Sequence, residues 1–448
     1  SGGQAPRAAT LDAFASEERI PARGIRSVAI PGMVDAWSVI HQRWGSLPLA
    51  SLLEPSIGYA AEGFPVSRRV ATALSQFASL LAESATSRRV FFKDDHPLSE
   101  RETLVQADLA RTLQAIAEGG SDAFYRGETA KRIARFCQEE SGFLREEDFA
   151  QYRAQVLEPI TTSYRGYTVY EQPLNSQGII LLEALNIVEG LDLPRLATED
   201  PARAIHIMAE AIRASFADCD RYAGDPDFVE VPLAMIISKE QAAKRREEIL
   251  SGVPGQRAEI LSKGDTTSFV IADSSGNLVS FIQSNFSPFG SGVVAGDTGV
   301  LLNNRLSRFS LKPDHPNRLE PGKRTVHTLN TYLVFRDGRP LLAGGTPGAD
   351  FQVQTNLQVL TNILDFGLDV QRAVETPRWG YTQEQGLQLE SGFSPTVEEG
   401  LRGLRDKVST LEPGAFLPGI AQVLMRDATS GYYTGGSDPR GEGCALGF

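Results

Sequence analysis

Three hydroxyl residues in a row, Thr266, Thr267 and Ser268, follow Gly264-Asp265 and lead into an aromatic and β-branched stretch ending at Ala272. Residues of this kind before a strand commonly serve turn chemistry, bonding the local backbone. A second reading requires a backbone break between Asp265 and Thr266. The freed Thr266 amine is then a base for its own hydroxyl, the N-terminal-threonine variant of nucleophilic catalysis. No G-x-S-x-G segment offers a competing serine nucleophile. Further on, Gly344-Gly345-Thr346-Pro347-Gly348-Ala349-Asp350 precedes a helical pattern. It lacks the Gly-Lys-Ser/Thr ending of a phosphate-binding loop. It reads either as a tight strand-to-helix turn or as an oxyanion hole, with backbone N–H groups aimed at developing negative charge. Arg305 and Arg308 follow Asn303-Asn304. At three-residue spacing they share one face, to hold a carboxylate by forked hydrogen bonds or to form surface ion pairs. Asp218, Asp220, Asp225 and Asp227 lack calcium-loop spacing and read as a helix end running into a solvated acidic loop.

The elements that must position these residues change character along the chain. Up to about Ser251 the pattern is helical, with apolar residues three and four apart over Gly32 to Trp44, Leu53 to Glu62 and Val70 to Glu83. Ala107 to Glu118, Thr129 to Gln138, Gly178 to Gly190, Ala202 to Tyr222 and Lys239 to Leu250 continue it, with one strand at Tyr167 to Glu171. Val253-Pro254-Gly255-Gln256 is a turn-rich connection, after which strands dominate. Ser268 to Ala272 and Leu278 to Ser284 form a hairpin across Asp273 to Asn277. Val300 to Asn303, Tyr332 to Phe335 and Pro340 to Ala343 add strands, Val353 to Phe366 is a helix, and Val423 to Asp427 pairs with Gly431 to Thr434. Helices, then sheet, then helix predict an α+β fold of stacked sheets covered by helices.

The 448 residues are 41% hydrophobic and 22% charged, the composition of an ordinary soluble protein with a sizeable core. A net charge of -12 excludes nucleic acid as a partner class, since phosphate binding needs concentrated Lys and Arg. Cys137, Cys219 and Cys444 form no C-x-x-C pair and the five histidines no H-E-x-x-H, so neither a disulfide framework nor a zinc site is expected. No apolar run has the roughly 18 residues of a membrane helix. No cofactor, no metal and no membrane partner are expected.

From Thr266 to Arg305 the sequence resembles the start of the small subunit of the gamma-glutamyltransferases, which are N-terminal-nucleophile hydrolases. The matching motifs are Thr266-Thr267, Asp273 to Asn277, Phe289-Gly290-Ser291-Gly292 and Leu301-Leu302-Asn303-Asn304. Ser437-Asp438-Pro439-Arg440 is similar to the family's closing motif, and Pro31-Gly32, the Tyr59 to Ser67 stretch, Ser176-Gln177-Gly178 and Phe216-Ala217-Asp218 also fit. The resemblance implies a four-layer αββα sandwich and a precursor that cuts itself between Asp265 and Thr266. Residues 1–265 would then be the large-subunit region and 266–448 the small one, both building one unit, with a homodimer of processed heterodimers as the assembly. It also implies that Thr266 forms an acyl-enzyme, that Thr267 is the family's second threonine, and that Ser284 hydrogen-bonds the nucleophile. Gly348 and Ala349 match the paired-glycine oxyanion site.

The departures concern substrate. The family's opening carboxylate-binding Arg is absent where the chain reads Gly2-Gly3-Gln4-Ala5-Pro6. Arg305 and Arg308 stand where the family grips an α-amino group, His327-Thr328 where it has Ser-Ser, and Phe286 where it has Asn. Two cations repel an ammonium. The expected substrate is therefore a small amide whose acyl part carries a carboxylate and no α-amino group, bound by Arg305 or Arg308 with Asn304, His327 and Thr328 nearby. The oxamate amidohydrolases of this family are the most specific match, in purine breakdown, with a cytoplasmic location. The alternatives are a gamma-glutamyltransferase/glutathione hydrolase, a glutaryl-type acylase, and an unprocessed, non-catalytic homologue. The presence of Thr266, Ser284 and Gly348 argues against the last.

Overall fold

Where apolar residues recur on a helical period the chain forms helices, and packing sorts these into two compact units. The computed structural model describes residues 3–252, 260, 264–404, 407–427 and 429–447, and only the backbone of Asp265. The connection read at 253–256 lies outside the described residues, as does Gly2.

One unit comprises the chain up to Val156 together with Asn285–Val326. Its helices Met33–Trp44, Leu49–Glu62 and Glu128–Glu139 agree with the sequence reading to within a few residues, whereas Ala107–Tyr125 runs past the end read at Glu118, across a kink at Gly120. The stretch read as one helix from Val70 to Glu83 is two, Arg68–Gln76 and Ala78–Ala82, broken at Phe77. Its largest apolar cluster gathers Ile116, Phe124, Ile133, Phe149 and Tyr152 with Ala295 and Leu302 of the later segment. Val300 to Asn303 is not a strand. A single bridge joins Val294 to Leu301, and glycines in the left-handed region at 290, 292, 296 and 299 turn the backbone too often for a ladder to extend.

The other unit comprises Leu157–Ser284 and His327–Phe448. Its strands are β1 (Ile160–Tyr164), β2 (Tyr167–Glu171), β3 (Asp265–Ala272), β4 (Leu278–Phe286, whose last two residues count with the first unit), β5 (Thr331–Arg336), β6 (Arg339–Gly345), β7 (Trp379–Thr382), β8 (Gly386–Leu389), β9 (Val408–Thr410), β10 (Gln422–Arg426) and β11 (Tyr433–Ser437). Its main helices are α1 (Gly178–Glu189), α2 (Pro201–Tyr222), α3 (Lys239–Leu250) and α4 (Phe351–Leu364). Six strands form one antiparallel sheet in the order β11-β10-β6-β5-β2-β1. The strand β1 and the sheet β7-β8-β9 went unread in the sequence, because short strands carry little periodicity.

Side chains alternate between the faces of a strand, and two adjacent glycines show what covers each face of the six-stranded sheet. A Cβ on Gly345 would lie 3.5 Å from Ser280 Oγ of β4, while one on Gly344 would strike the Tyr332 ring. Tyr332 pairs across the ladder with Glu171, and Glu171 lies under the start of α1, where a Cβ on Gly178 would come within 2.9 Å of its Cβ. The β3-β4 hairpin therefore covers one face and helices the other. The α1 helix is buried all round, as its unbroken apolar run Gly178-Ile-Ile-Leu-Leu requires.

Two acidic residues behave unlike a solvated loop. Asp218 is buried and paired by Arg245 of α3, and Asp225 is buried too, which corrects the sequence reading of 218–227. Glu171 is also buried, accepting hydrogen bonds from Asn330 Nδ2 (3.3 Å) and the Gln172 N–H (3.1 Å) with no cation among these partners. Burial pushes its carboxyl well above the usual range. The folded state therefore holds a proton that the unfolded chain releases near its ordinary pKa of about 4.3. That contribution to stability is full below this value and is lost as pH rises through the folded pKa, with a limiting slope of about 1.4 kcal/mol per pH unit. Glu171→Gln removes it. The expected result is a melting temperature that gains on wild type between about pH 5 and about pH 8; scanning calorimetry at both pH values checks this, and an unchanged difference would contradict it.

Candidate active site

Thr266 is the second residue of β3. The β3-β4 hairpin closes through the Asp273 N–H donating to Asn277 O (3.1 Å), and Asp273 Oδ1 caps the turn by accepting from the N–H groups of Ser275 and Asn277. Four residues back, Phe269 and Phe281 stack with centroids 5.0 Å apart. Both pairs sit at the same register, so counting back along the paired strands brings Thr266 opposite Ser284. Parity gives their face. Ser280 shares that of Ser284 and donates its hydroxyl to Gly344 O of β6 (2.9 Å). Thr266 and Ser284 thus face the six-stranded sheet, whereas Thr267 is exposed on the outer face with Phe269 and Ile271.

The glycine-rich segment begins in β6 and ends in a turn at the start of α4. Gly348 has φ +132° and Ala349 φ +52°, the left-handed region that L-residues avoid. The Gly348 carbonyl accepts from the Phe351 N–H (3.0 Å) and the Ala349 carbonyl from the Gln352 N–H (3.1 Å). In a trans peptide C=O and N–H oppose each other. With its carbonyl turned into the helix, the 348–349 peptide directs the Ala349 N–H away from it. The segment leading to Thr266 runs beside this residue: a Cβ on Gly264 would lie 2.7 Å from Ala349 Cβ and 2.8 Å from Ala349 N. The structure thereby brings Gly264, two residues before Thr266, against the expected oxyanion donor.

His327 and Thr328 are buried in the same unit. The His327 N–H donates to Asn175 O (2.9 Å), and His327 O accepts from the Gln177 N–H (3.1 Å). Gln177 also donates through Nε2 to Asp350 Oδ1 (2.6 Å). The Ser176-Gln177-Gly178 motif was visible in the sequence, but this tie between His327 and the oxyanion turn was not. No local signal announces a bond across 173 residues.

Arg305, Arg308, Asn304 and Phe286 belong to the other unit and are brought together there. The guanidinium carbons of Arg305 and Arg308 lie 6.0 and 5.5 Å from the centroid of the Phe286 ring, within cation–π range. Arg305 is 2% exposed. Burial, and secondarily the Arg308 charge, push its guanidinium down to about 10. It remains a cation at neutral pH, held in a place too dry for the surface ion pair considered above. The Asn304 carboxamide is engaged with the chain itself, donating to Ala22 O (2.8 Å) and Ser287 Oγ (3.0 Å) and accepting from the Ser287 N–H (3.0 Å). It holds its own loop, and these bonds occupy the carboxamide read in the sequence as a substrate ligand.

One buried network was missed outright. Loop 417–421 passes the oxyanion turn, with a Cβ on Gly348 3.2 Å from Gly419 N. Asp438 accepts from Arg378, Arg440 and the Ala421 N–H; Glu390 accepts from Arg440 and the N–H groups of Arg378 and Leu417; and Arg378 donates to Gly419 O. Ser437-Asp438-Pro439-Arg440 is thus the anchor of the loop beside Gly348.

The family model described as Gamma-glutamyltranspeptidase matches residues 1–448. The "Glutathione hydrolase-like YwrD proenzyme" of Bacillus subtilis (strain 168) is 38% identical over 453 residues, covering 100% of this chain and 86% of that protein. The "Acylase ACY 1 proenzyme" of Pseudomonas sp. (strain SE83) is 34% identical over 389 residues, covering 86% and 69%. A crystal structure of cephalosporin acylase from Bacillus halodurans superposes with a TM-score of 0.90 at 36% identity, covering 98% of this chain and 82% of that one. These likenesses define the class, an amidohydrolase with an N-terminal nucleophile. The chain belongs to the gamma-glutamyltranspeptidase family.

Proposed function

We propose that this chain is a precursor that cuts itself before Thr266 and then hydrolyses amides whose acyl group ends in a carboxylate and carries no α-ammonium. The observation that carries the reading is the hairpin register, which sets Thr266 opposite Ser284 on the face toward β6, with Gly264 against Ala349. Two relatives named as proenzymes support processing into two pieces; the proposed fragments are 1–265 and 266–448, building a proposed four-layer αββα sandwich.

In the proposed reaction the Thr266 amine takes the proton from Oγ1 as that oxygen bonds to the amide carbon. The carbonyl electrons become an oxyanion, held by the N–H groups of Gly348 and Ala349, while Ser284 orients the nucleophile. Collapse breaks the C–N bond, and the proton passes from the threonine ammonium to the departing amine. Water then attacks the Thr266 ester, giving a proton to the same amine; the acyl carbon–Oγ1 bond breaks, the ammonium returns the proton to Oγ1, and the carboxylic acid leaves.

Arg305 or Arg308 is proposed to bind the acyl carboxylate, since a dry guanidinium favours an anion and rejects an ammonium. Oxamate is the smallest such amide; a longer, glutaryl-type acyl group is the second reading, and two relatives are named as acylases. Ammonia release from oxamate, compared with hydrolysis of a glutaryl anilide and a γ-glutamyl anilide, tests the proposal. Turnover of either of the first two supports it, and says which length fits. Turnover of the γ-glutamyl anilide alone would contradict the substrate argument.

Replacing Arg305 or Arg308 by Gln is expected to raise KM for the carboxylate substrate by roughly 10- to 100-fold, the scale of a lost charge-assisted hydrogen bond. Steady-state kinetics of both variants checks this; KM within about two-fold of wild type for both would leave the carboxylate without its proposed partner.

A further inference from the structure

We infer that Gln177 is a positioning residue for the oxyanion turn, acting through Asp350; the inference rests on the proposed role of the Ala349 N–H. Asp350 occupies the N-cap of α4, where an aspartate ordinarily accepts from the first N–H groups of the helix. It makes no such cap here. Its carboxylate, fully buried, is drawn to the Gln177 amide at 2.6 Å. Gln177 is itself 1% exposed and fixed at its backbone, its N–H donating to His327 O, while the neighbouring Ser176 hydroxyl donates to Leu329 O (2.6 Å). The residue reaching Asp350 is thus anchored to the strand entry at 327–329.

A demand for such an anchor is visible one residue earlier. Ala349 sits at φ +52° although it has a Cβ, a strained conformation that persists only where the surroundings hold the backbone. That conformation turns the 348–349 carbonyl into α4 and the Ala349 N–H outward. Asp350 is the next residue, and its bond to Gln177 is a buried polar tie from outside the turn. The same bond pulls a carboxylate away from a turn where negative charge has to develop. Released, it would cap α4 or approach the oxyanion, and either movement costs rate.

The test compares Gln177→Glu, which sets two carboxylates against each other, with the double variant Gln177→Glu/Asp350→Asn, which restores one donor and one acceptor with the polarity reversed. In Gln177→Glu, kcat is expected to fall on the order of 100-fold, the scale of one lost oxyanion donor, with KM within about two-fold. Deuterium uptake in the peptide spanning Gly344 to Phe351 is expected to rise in the same variant. The double variant is expected to recover both. An unchanged single variant would overturn the inference, and so would a loss that the double variant does not recover. If Gln177→Glu does not fold, Gln177→Met removes the donor without adding charge and is read the same way by exchange. Wild-type turnover of no amide would sink the proposed function separately, since exchange reports the coupling without any substrate.

Discussion

Thr266→Ala is expected to yield a chain that neither cuts itself nor hydrolyses any amide, with kcat down by about 10⁴-fold or more. One atom carries both reactions. In the proposed scheme Oγ1 of the precursor attacks the carbonyl of Asp265, and after the cut the same oxygen attacks substrate with the new amine as its base. Alanine removes the oxygen but not the fold, because Thr266 is only half-buried near the start of a hairpin fixed by the Asp273 turn and the Phe269–Phe281 stack. Thr266→Ser keeps the oxygen and is expected to keep both reactions. A denaturing gel and an ammonia assay on the two variants measure this; hydrolysis by Thr266→Ala at wild-type rate would remove the nucleophile from the account.

The second large effect is on stability. Asp438→Ala is expected to cost about 3–5 kcal/mol, the range for breaking one side of a buried ion pair. Arg378 and Arg440 would be left as buried guanidinium groups that have lost a shared carboxylate, with Glu390 still paired to Arg440. The Ala421 N–H would lose its acceptor too, so loop 417–421 would loosen beside Gly348. Asp438→Asn keeps an oxygen for the Ala421 N–H and is expected to cost less. Urea unfolding of the three proteins gives the comparison, and a loss below about 1 kcal/mol for Asp438→Ala would mean that the arginines find other acceptors.

What the sequence made legible follows the range of the interactions. Helices Gly178–Glu189, Pro201–Tyr222 and Lys239–Leu250 were readable within a residue or so, because their apolar spacing is local. The hairpin bearing Thr266 and Ser284 was readable because Asp273 to Asn277 is turn chemistry. Val300 to Asn303 failed because composition argued for a strand while the surrounding glycines decided the backbone. Buried charge was the least legible. Asp218 finds Arg245 on another helix, Arg378 finds Asp438 60 residues away, and Glu171 is buried by a helix start, none of which has a local pattern. In the proposed site, Thr266, Gly348 and Ala349 are candidates from motif, whereas Gln177 and Asp350 acquired meaning only once the fold set them 2.6 Å apart.

The central claim is that Thr266 becomes a chain terminus and the nucleophile. N-terminal sequencing of the fragments of the purified protein tests it most directly. Two bands are expected, the smaller opening Thr-Thr-Ser-Phe-Val from Thr266 onward. A single uncut chain, or a small fragment that begins elsewhere, would contradict it.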